Sequence, residues 1–262
     1  MSEPQIHFND GSAYEQLMGV WSRLAGAQFL DWLDQAPGLR WGDIGCGNGA
    51  FTELVVERCA PAHVEAIDPS EAQLAFARSR PSADKVAFRL GDAMALPFAA
   101  DSLDVAIMAL VIFFVPDPAR GVAEMTRVVA PGGMVAAYAW DMYGYGFPLE
   151  PILAELRKIG RLPPRPPSAD ASRLETMRAL WQGAGLRDVE TRQIEVSRGF
   201  ADFDEFWAIS MTSSSTSATI EALPPDAARG LKERVRASLQ PDASGRIVTS
   251  ARANAVKGRV AG

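Results

Sequence analysis

Histidine is nearly missing from this chain: His7 and His63 are the two among 262 residues. General acid–base chemistry built on imidazole therefore has few candidates, and no metal-ligand set is expected. Cysteine is equally scarce. Cys46 and Cys59 make no disulfide framework, and a chain of this length does not need one. A basic excess is lacking as well: 26 Lys and Arg stand against 32 Asp and Glu, a net charge of −6. That balance argues against nucleic acid as a partner, since such binders carry a basic face or stripe. No apolar run reaches the roughly 20 residues of a membrane span; the longest, Val105 to Val115, has the length of a buried strand. Met1-Ser2-Glu3-Pro4 opens no signal-peptide pattern. The expectation is a cytoplasmic protein that acts on a small molecule, with neither nucleic acid nor membrane as partner. The oligomeric state is not legible.

What is present reads as one core domain with an elaboration; 48% of residues are hydrophobic. Tyr14, Leu17, Met18, Trp21, Leu24, Phe29, Leu30 and Leu33 recur at helical spacing over residues 12–34, before Pro37-Gly38 breaks the chain. Strands are then expected at 39–44, 63–67, 86–90, 103–109 and 134–140, with helices after the first, second and fourth. Pro131-Gly132-Gly133 reads as a turn before the fifth. This alternation predicts a mostly parallel sheet with helices on both faces. Further helices are expected at 149–159 and 172–181, separated by Pro163-Pro164-Arg165-Pro166-Pro167, and further strands at 189–196 and 246–256. Between those strands, residues 200–240 hold two amphipathic segments around a Ser/Thr-rich piece, Thr212 to Thr219, expected as a mobile loop. The expected organisation is an N-terminal helical cap at 1–38, a core at 39–199 and 241–262, and a helical insertion at 200–240 that could form a lid.

The chemistry centres on Asp43-Ile44-Gly45-Cys46-Gly47-Asn48-Gly49, at a strand-to-helix turn. Glycines there let a ligand approach the backbone at the carboxyl end of the first strand. Alone, the loop is ambiguous, because Gly45-x-Gly47-x-x-Ala50 also satisfies the looser dinucleotide fingerprint. Three acids weigh on the choice. Asp43, just before the glycines, would repel a pyrophosphate and welcome an ammonium group. Asp68 ends the second strand, where an acid accepts from ribose hydroxyls. Asp92, in Gly91-Asp92-Ala93 at the third strand end, can accept from an adenine amino group. Together they fit an adenosine ligand with an amino-acid tail better than one with a diphosphate.

These stretches, with Ile67-Asp68-Pro69-Ser70, Gly91-Asp92-Ala93-Met94-Ala95-Leu96-Pro97-Phe98, Ser102-Leu103-Asp104-Val105 and Arg127 to Gly133, resemble the class I S-adenosylmethionine-dependent methyltransferases, in particular the ubiquinone-biosynthesis-like, type 11 group. Tyr14 to Arg23 resembles that group's lead-in helix. The resemblance implies a doubly wound, Rossmann-like seven-stranded α/β sheet of order 3-2-1-4-5-7-6, the last strand antiparallel. It implies S-adenosyl-L-methionine as cofactor and S-adenosyl-L-homocysteine as product. By position, Gly45, Cys46, Gly47 and Gly49 would pass under the methionine moiety. Asp68, Pro69 and Ser70 would meet the ribose side, Asp92 and Ala93 the adenine. Met108, Ala109 and Leu110 would lie near the sulfonium, and Tyr14, Trp21 and Ser22 could fold over the cofactor.

The sequence departs from the group where many relatives carry paired histidines after strand four; here stand Phe113-Phe114. No Asn-Pro-Pro-Tyr-like stretch and no catalytic Pro-Cys is present, which argues against adenine, amide-nitrogen or cytosine methylation. Transfer from a sulfonium can rest on positioning and desolvation, so no catalytic residue is assigned. His7, Phe113, Trp140 and Tyr143 are candidate acceptor contacts; with Phe114, Tyr138 and Tyr145 they favour an apolar acceptor. Each has a plainer reading, a terminal histidine or rings that pack the core. Cys46 reads as a packing residue rather than a nucleophile. Two other readings stay open: an NAD-dependent oxidoreductase, and a non-catalytic cofactor-binding protein of the same fold.

Overall fold

The computed structural model describes residues 15–262. A turn of π-helix at Glu15–Gly19 leads into α1 (Val20–Leu33). Then come β1 (Arg40–Ile44), α2 (Ala50–Cys59), β2 (His63–Asp68), α3 (Glu71–Ala77), β3 (Val86–Leu90), β4 (Leu103–Ala109), α4 (Pro118–Val128) and β5 (Val129–Trp140). The second half holds α5 (Glu150–Lys158), α6 (Leu174–Gly183), β6 (Arg187–Phe200), α7 (Phe203–Ser210), α8 (Ser214–Glu221), α9 (Pro225–Ser238) and β7 (Ile247–Arg259). All seven strands form one sheet of order β3-β2-β1-β4-β5-β7-β6. Strands β1 to β5 are parallel, and β7 runs antiparallel between β5 and β6. The order and the reversed last strand are those the sequence resemblance implied.

Residue chemistry explains this order. Val105, Ala106, Ile107 and Met108 of β4 are at most 1% exposed, as a strand covered on both faces requires. β1 pairs with β2 on one side and with β4 on the other, so the strand order reverses between β1 and β4. Diverging connections leave a crevice at the carboxyl ends of such a pair, which is where open α/β sheets bind ligands.

Three segments differ from the sequence expectations. Pro131-Gly132-Gly133 lies inside β5: Val129 pairs with Leu103 and Met134 with Val105, so residues 130–133 bulge from one continuous strand. β6 and β7 are longer than expected, because they pair with each other from Arg187 opposite Arg259 to Phe200 opposite Ile247. The Ser/Thr-rich stretch expected as a mobile loop forms α8. Thr216 and Ile220, one helical turn apart, are buried; Ser213 donates its hydroxyl to Thr216 Oγ1 at 3.1 Å, and Thr219 donates to the Ser215 carbonyl at 2.7 Å. Burial and local side-chain bonds offset the weak helix propensity of these residues.

The helices of the insertion share the main core, with Phe206, Leu231 and Val235 at most 1% exposed. Arg234 on α9 reaches the buried Glu155 on α5 at 3.1 Å. Lys158 and then Arg234 hold that carboxyl below its ordinary range. On the sheet, Trp181 of α6 is fully buried and its indole N–H donates to the Val135 carbonyl at 2.9 Å. Trp181→Phe removes that donor and part of the ring. It is expected to cost about 1–3 kcal/mol of unfolding free energy, read as a lower urea midpoint at unchanged slope.

Candidate functional site

At the switch point the chain must leave buried β1 and double back into α2. Gly45, Gly47 and Gly49 have φ of +81°, +52° and +80°, a region closed to most side chains. A Cβ on Gly45 would stand 2.6 Å from the Val111 methyls, so the loop packs directly on the segment leaving β4. A Cβ on Gly47 would meet nothing within 4 Å; that part of the loop faces open space. The loop's donors are engaged internally. Gly45 and Cys46 N–H both donate to the Ile67 carbonyl at 2.8 Å, Gly49 N–H to the Cys46 carbonyl, and Ala50 N–H to Asn48 Oδ1. Gly47 N–H donates to Asp68 Oδ2 at 2.9 Å, while Asp68 Oδ1 accepts from Ser70 N–H at 2.8 Å. Ser70 in turn caps α3 through Gln73 N–H, and Pro69 is exposed beside it. Burial pushes the Asp68 carboxyl above its ordinary range, against the pull of those two N–H groups.

Beneath the loop, Asp43 is 2% exposed. Its Oδ2 accepts from the Thr52 hydroxyl at 2.6 Å, and its Oδ1, equally buried, has no hydrogen-bond partner. Burial pushes the carboxyl up to about 7, against the Thr52 bond. Thr52 was missed in the sequence; its place one turn into the helix after the loop was the available signal. The Cys46 thiol is pushed well up, first by burial and then by Asp43, which fits an inert packing role.

The third strand end is built differently. Asp92 is exposed and its Oδ1 accepts from Met94 N–H at 2.8 Å, turning the chain at half-buried Ala93. Helix α4 fixes this loop: Arg120 donates to the Met94 carbonyl, Glu124 accepts from Leu96 N–H, and Arg127 donates to the carbonyls of Leu96 and Phe98. Sequence reasoning missed these three residues, whose charges look like an ordinary exposed helix face. At the end of β4, Met108 is buried with its Cε turned to Gly121 of α4, in the core rather than on the crevice. Ala109 is half-buried. Leu110 has φ +62°, a left-handed conformation costing about 1–3 kcal/mol, and is held there by its N–H bond to the Tyr138 carbonyl at 2.8 Å.

On the acceptor side, several expected contacts are core residues. Trp21 and Trp140 are each 1% exposed and meet edge to face at 6.5 Å. Ser22 is buried, its carbonyl accepting from the Tyr138 hydroxyl at 3.3 Å. Phe113 is 3% exposed and packs on Phe114 at 4.6 Å. Tyr143 is half-buried, beneath the guanidinium groups of Arg173 and Arg165 at 3.7 and 5.0 Å from its ring centre. Asp141, at the exit of β5, binds Arg252 at 2.9 Å. His7 and Tyr14 lie outside the described residues. His63 sits at the start of β2, the opposite edge of the sheet, 3.1 Å from Glu65, and Asp104 opens β4 paired with Arg40 at 2.7 Å.

The structure thus brings Asp43, the 45–49 loop and Asp68 together at the switch point, and sets Asp92–Ala93 and Ala109–Leu110 on the same edge of the sheet. Residues 42–137 match a methyltransferase domain family. Over 153 residues the chain is 36% identical to a malonyl-[acyl-carrier protein] O-methyltransferase of Methylococcus capsulatus, covering 58% of this chain and 51% of that protein. Over 148 residues it is 31% identical to a ubiquinone/menaquinone biosynthesis C-methyltransferase of Cereibacter sphaeroides, covering 51% and 59%. The chain spans about half the length of these curated relatives. Among solved structures, the phosphoethanolamine N-methyltransferase 2 of Haemonchus contortus in complex with S-adenosyl-L-methionine superposes with a TM-score of 0.55 at 17% identity. That match covers 100% of this chain and 62% of that one, a similarity of fold.

Proposed function

We propose, for a chain whose residues 42–137 match a methyltransferase domain family, that the protein is a class I methyltransferase of the type 11 group that transfers a methyl group from S-adenosyl-L-methionine to a small-molecule acceptor. One observation carries the reading. The N–H groups of Gly45, Cys46, Gly47, Gly49 and Ala50 are already spent on Ile67, Asp68, Cys46 and Asn48, which leaves the loop few donors for a diphosphate, and beneath it the buried Asp43 Oδ1 lacks a donor. A buried acceptor that lacks its donor suits the ammonium group of an amino-acid tail rather than a pyrophosphate. The same contrast weighs against the NAD-dependent reading.

The residues present fit that cofactor. Asp43 would hold the ammonium group, the open face at Gly47 would take the methionine chain, Asp68 the ribose hydroxyls, and Asp92 with Ala93 the adenine. When bound, the cofactor supplies a methyl group on a sulfonium, activated for displacement without further acid catalysis. The protein's part is to orient and to keep water out. Leu110 and the Gly45–Val111 contact fix the floor between β1 and β4, and the rings of Phe113, Trp140 and Tyr138 keep the interior behind it dry. A base is needed only for an acceptor that keeps its proton. The helical unit 200–240 is the proposed acceptor-side cover, consistent with the packing of α7 against the Glu15–Gly19 turn.

Calorimetric titration with S-adenosyl-L-homocysteine and, separately, with NAD tests the reading. Micromolar binding of the first, with no heat from the second, is expected. NAD binding alone would replace this reading with the oxidoreductase one. Transfer of a labelled methyl group to an added acceptor then separates an enzyme from a binding protein of the same fold.

A further inference from the structure

We propose that Arg165 and Arg173, gathered around Tyr143, form an oxyanion-binding subsite that takes a carboxylate or phosphate carried by the methyl acceptor; this rests on the methyltransferase reading above. The two guanidinium groups lie 5.0 and 3.7 Å from one ring centre. Their charges therefore stand within a Debye length, about 8–10 Å, of each other. Of the two, Arg165 has no carboxylate paired with it among the described residues, while Arg173 shares its charge with the exposed Asp170 and Glu175, so an anion between them meets one unneutralised guanidinium and one weakly held.

The place is the acceptor side of the crevice. Tyr143 leaves β5. The proline-rich loop that carries Arg165 is tied to the segment leaving β4, since Ser168 donates its N–H to the Phe113 carbonyl and its hydroxyl to the Val115 carbonyl. Asn254 of β7 donates to the Ser172 carbonyl and fixes the chain just before Arg173. Both arginines thus stand on the segment that is tied to the chain leaving β4 and that meets the chain leaving β5 at Tyr143.

The pair is also prepared for an anion. Arg165 lies between Pro163-Pro164 and Pro166-Pro167, with Pro166 buried, so its backbone has little freedom left to lose on binding. Arg173 stands at the N-terminus of α6, where the helix adds partial positive charge. Among the described residues no carboxylate pairs with Arg165. The acids facing Arg173 are Asp170 at 2.7 Å and Glu175 at 3.6 Å, both mostly exposed, and exposed pairs of that kind hold weakly. Asp141 is engaged by Arg252 and Glu150 by Arg157. Arginine forks match both planar and tetrahedral oxyanions, and both lie over the Tyr143 ring. The acceptor this describes has an apolar body and one anionic end.

The test is the melting midpoint of the full chain against sodium phosphate, sodium succinate and sodium chloride at matched ionic strength. The expected result is a saturable rise with phosphate, succinate or both, and none with chloride. Arg165→Gln should raise the half-saturating concentration about tenfold, Arg165→Lys less, and Arg165→Gln with Arg173→Gln should abolish the rise. Phosphate alone or succinate alone would name the anion. A rise that chloride reproduces, or one unchanged by Arg165→Gln, overturns the proposal; Arg165 is exposed, so its substitution should not unfold the protein. S-adenosyl-L-homocysteine titrated into the same variants should bind as in the wild type. If it binds neither, the methyltransferase reading fails while the anion result still stands or falls by itself.

Discussion

Asp68→Ala should abolish tight binding of S-adenosyl-L-homocysteine, with Kd at least about a hundredfold higher by calorimetry, or some 2.7 kcal/mol. The reason is mechanical as much as chemical. Asp68 accepts from Gly47 N–H through one oxygen and from Ser70 N–H through the other, so one carboxylate fixes both the turn under the ligand and the start of α3. Bonds to a charged acceptor contribute about 1.5–3 kcal/mol each, and their loss leaves the Gly47 donor without a partner. Gly47 itself faces open space where a Cβ would be, so among its own groups the N–H bond to Asp68 is what pins it between the buried Cys46 and Asn48. Asp68→Asn keeps one good acceptor and should fall between, near tenfold. The fold should survive both, with far-ultraviolet circular dichroism unchanged, because β2 is anchored by its pairs with β1 and β3. An unaltered Kd in Asp68→Ala would remove Asp68 from the site and, with it, the argument from acids at successive strand ends.

The sheet could be read from sequence because its signals are local. β4 belongs to an apolar run that is too short for a membrane and is preceded by Asp101-Ser102, and it lies at the centre. The glycine loop and Asp68 were equally visible, because turn geometry demands glycine and strand ends carry the chemistry. What failed depended on partners distant in sequence. Thr212–Thr219 has the composition of a loop, and only the burial of Thr216 and Ile220 makes it α8. Leucine avoids left-handed backbone, so nothing in the residue type announced Leu110; the Tyr138 carbonyl that holds it comes from another strand. Trp21, Met108, Phe113 and Trp140 are named by motif order or by aromatic clustering, and both cues are silent about which face of a strand or helix turns inward. Arg165 and Arg173 look like scattered surface charge until the connection between α5 and α6 meets the chain leaving β5 at one ring.

Asp43→Asn should make the ligand-free protein more stable at alkaline pH while weakening its hold on the cofactor. The Asp43 carboxyl ionises near 7 in the folded protein and near 3.8 in the unfolded chain, a shift that burial produces. The folded state therefore keeps a proton that the unfolded state releases across this window. Stability is highest below the unfolded value, falls as pH rises from there through about 7, and is level beyond. An asparagine is neutral throughout, and its carbonyl can still accept from Thr52, so the variant escapes that fall. The difference in unfolding free energy between variant and wild type should widen by about 2–3 kcal/mol from pH 5 to pH 8, at 1.36 kcal/mol per unit. Urea titrations at the two pH values read it, and any fixed cost of burying the amide cancels in the comparison. A ligand ammonium group has the opposite preference. It needs the ionised carboxylate, so wild-type affinity for S-adenosyl-L-homocysteine should drop as pH falls below 7, by up to about tenfold per unit. In Asp43→Asn the affinity should be at least about tenfold lower at pH 8 and flat with pH. Parallel stability curves in the two proteins would show that Asp43 is ionised in the free fold. A wild-type affinity that ignored pH would mean that the ammonium group is held elsewhere. Both changes together would place at Asp43 a charge that the fold resists and the cofactor requires, the trade of stability for binding expected of an acceptor left unfilled until its ligand arrives.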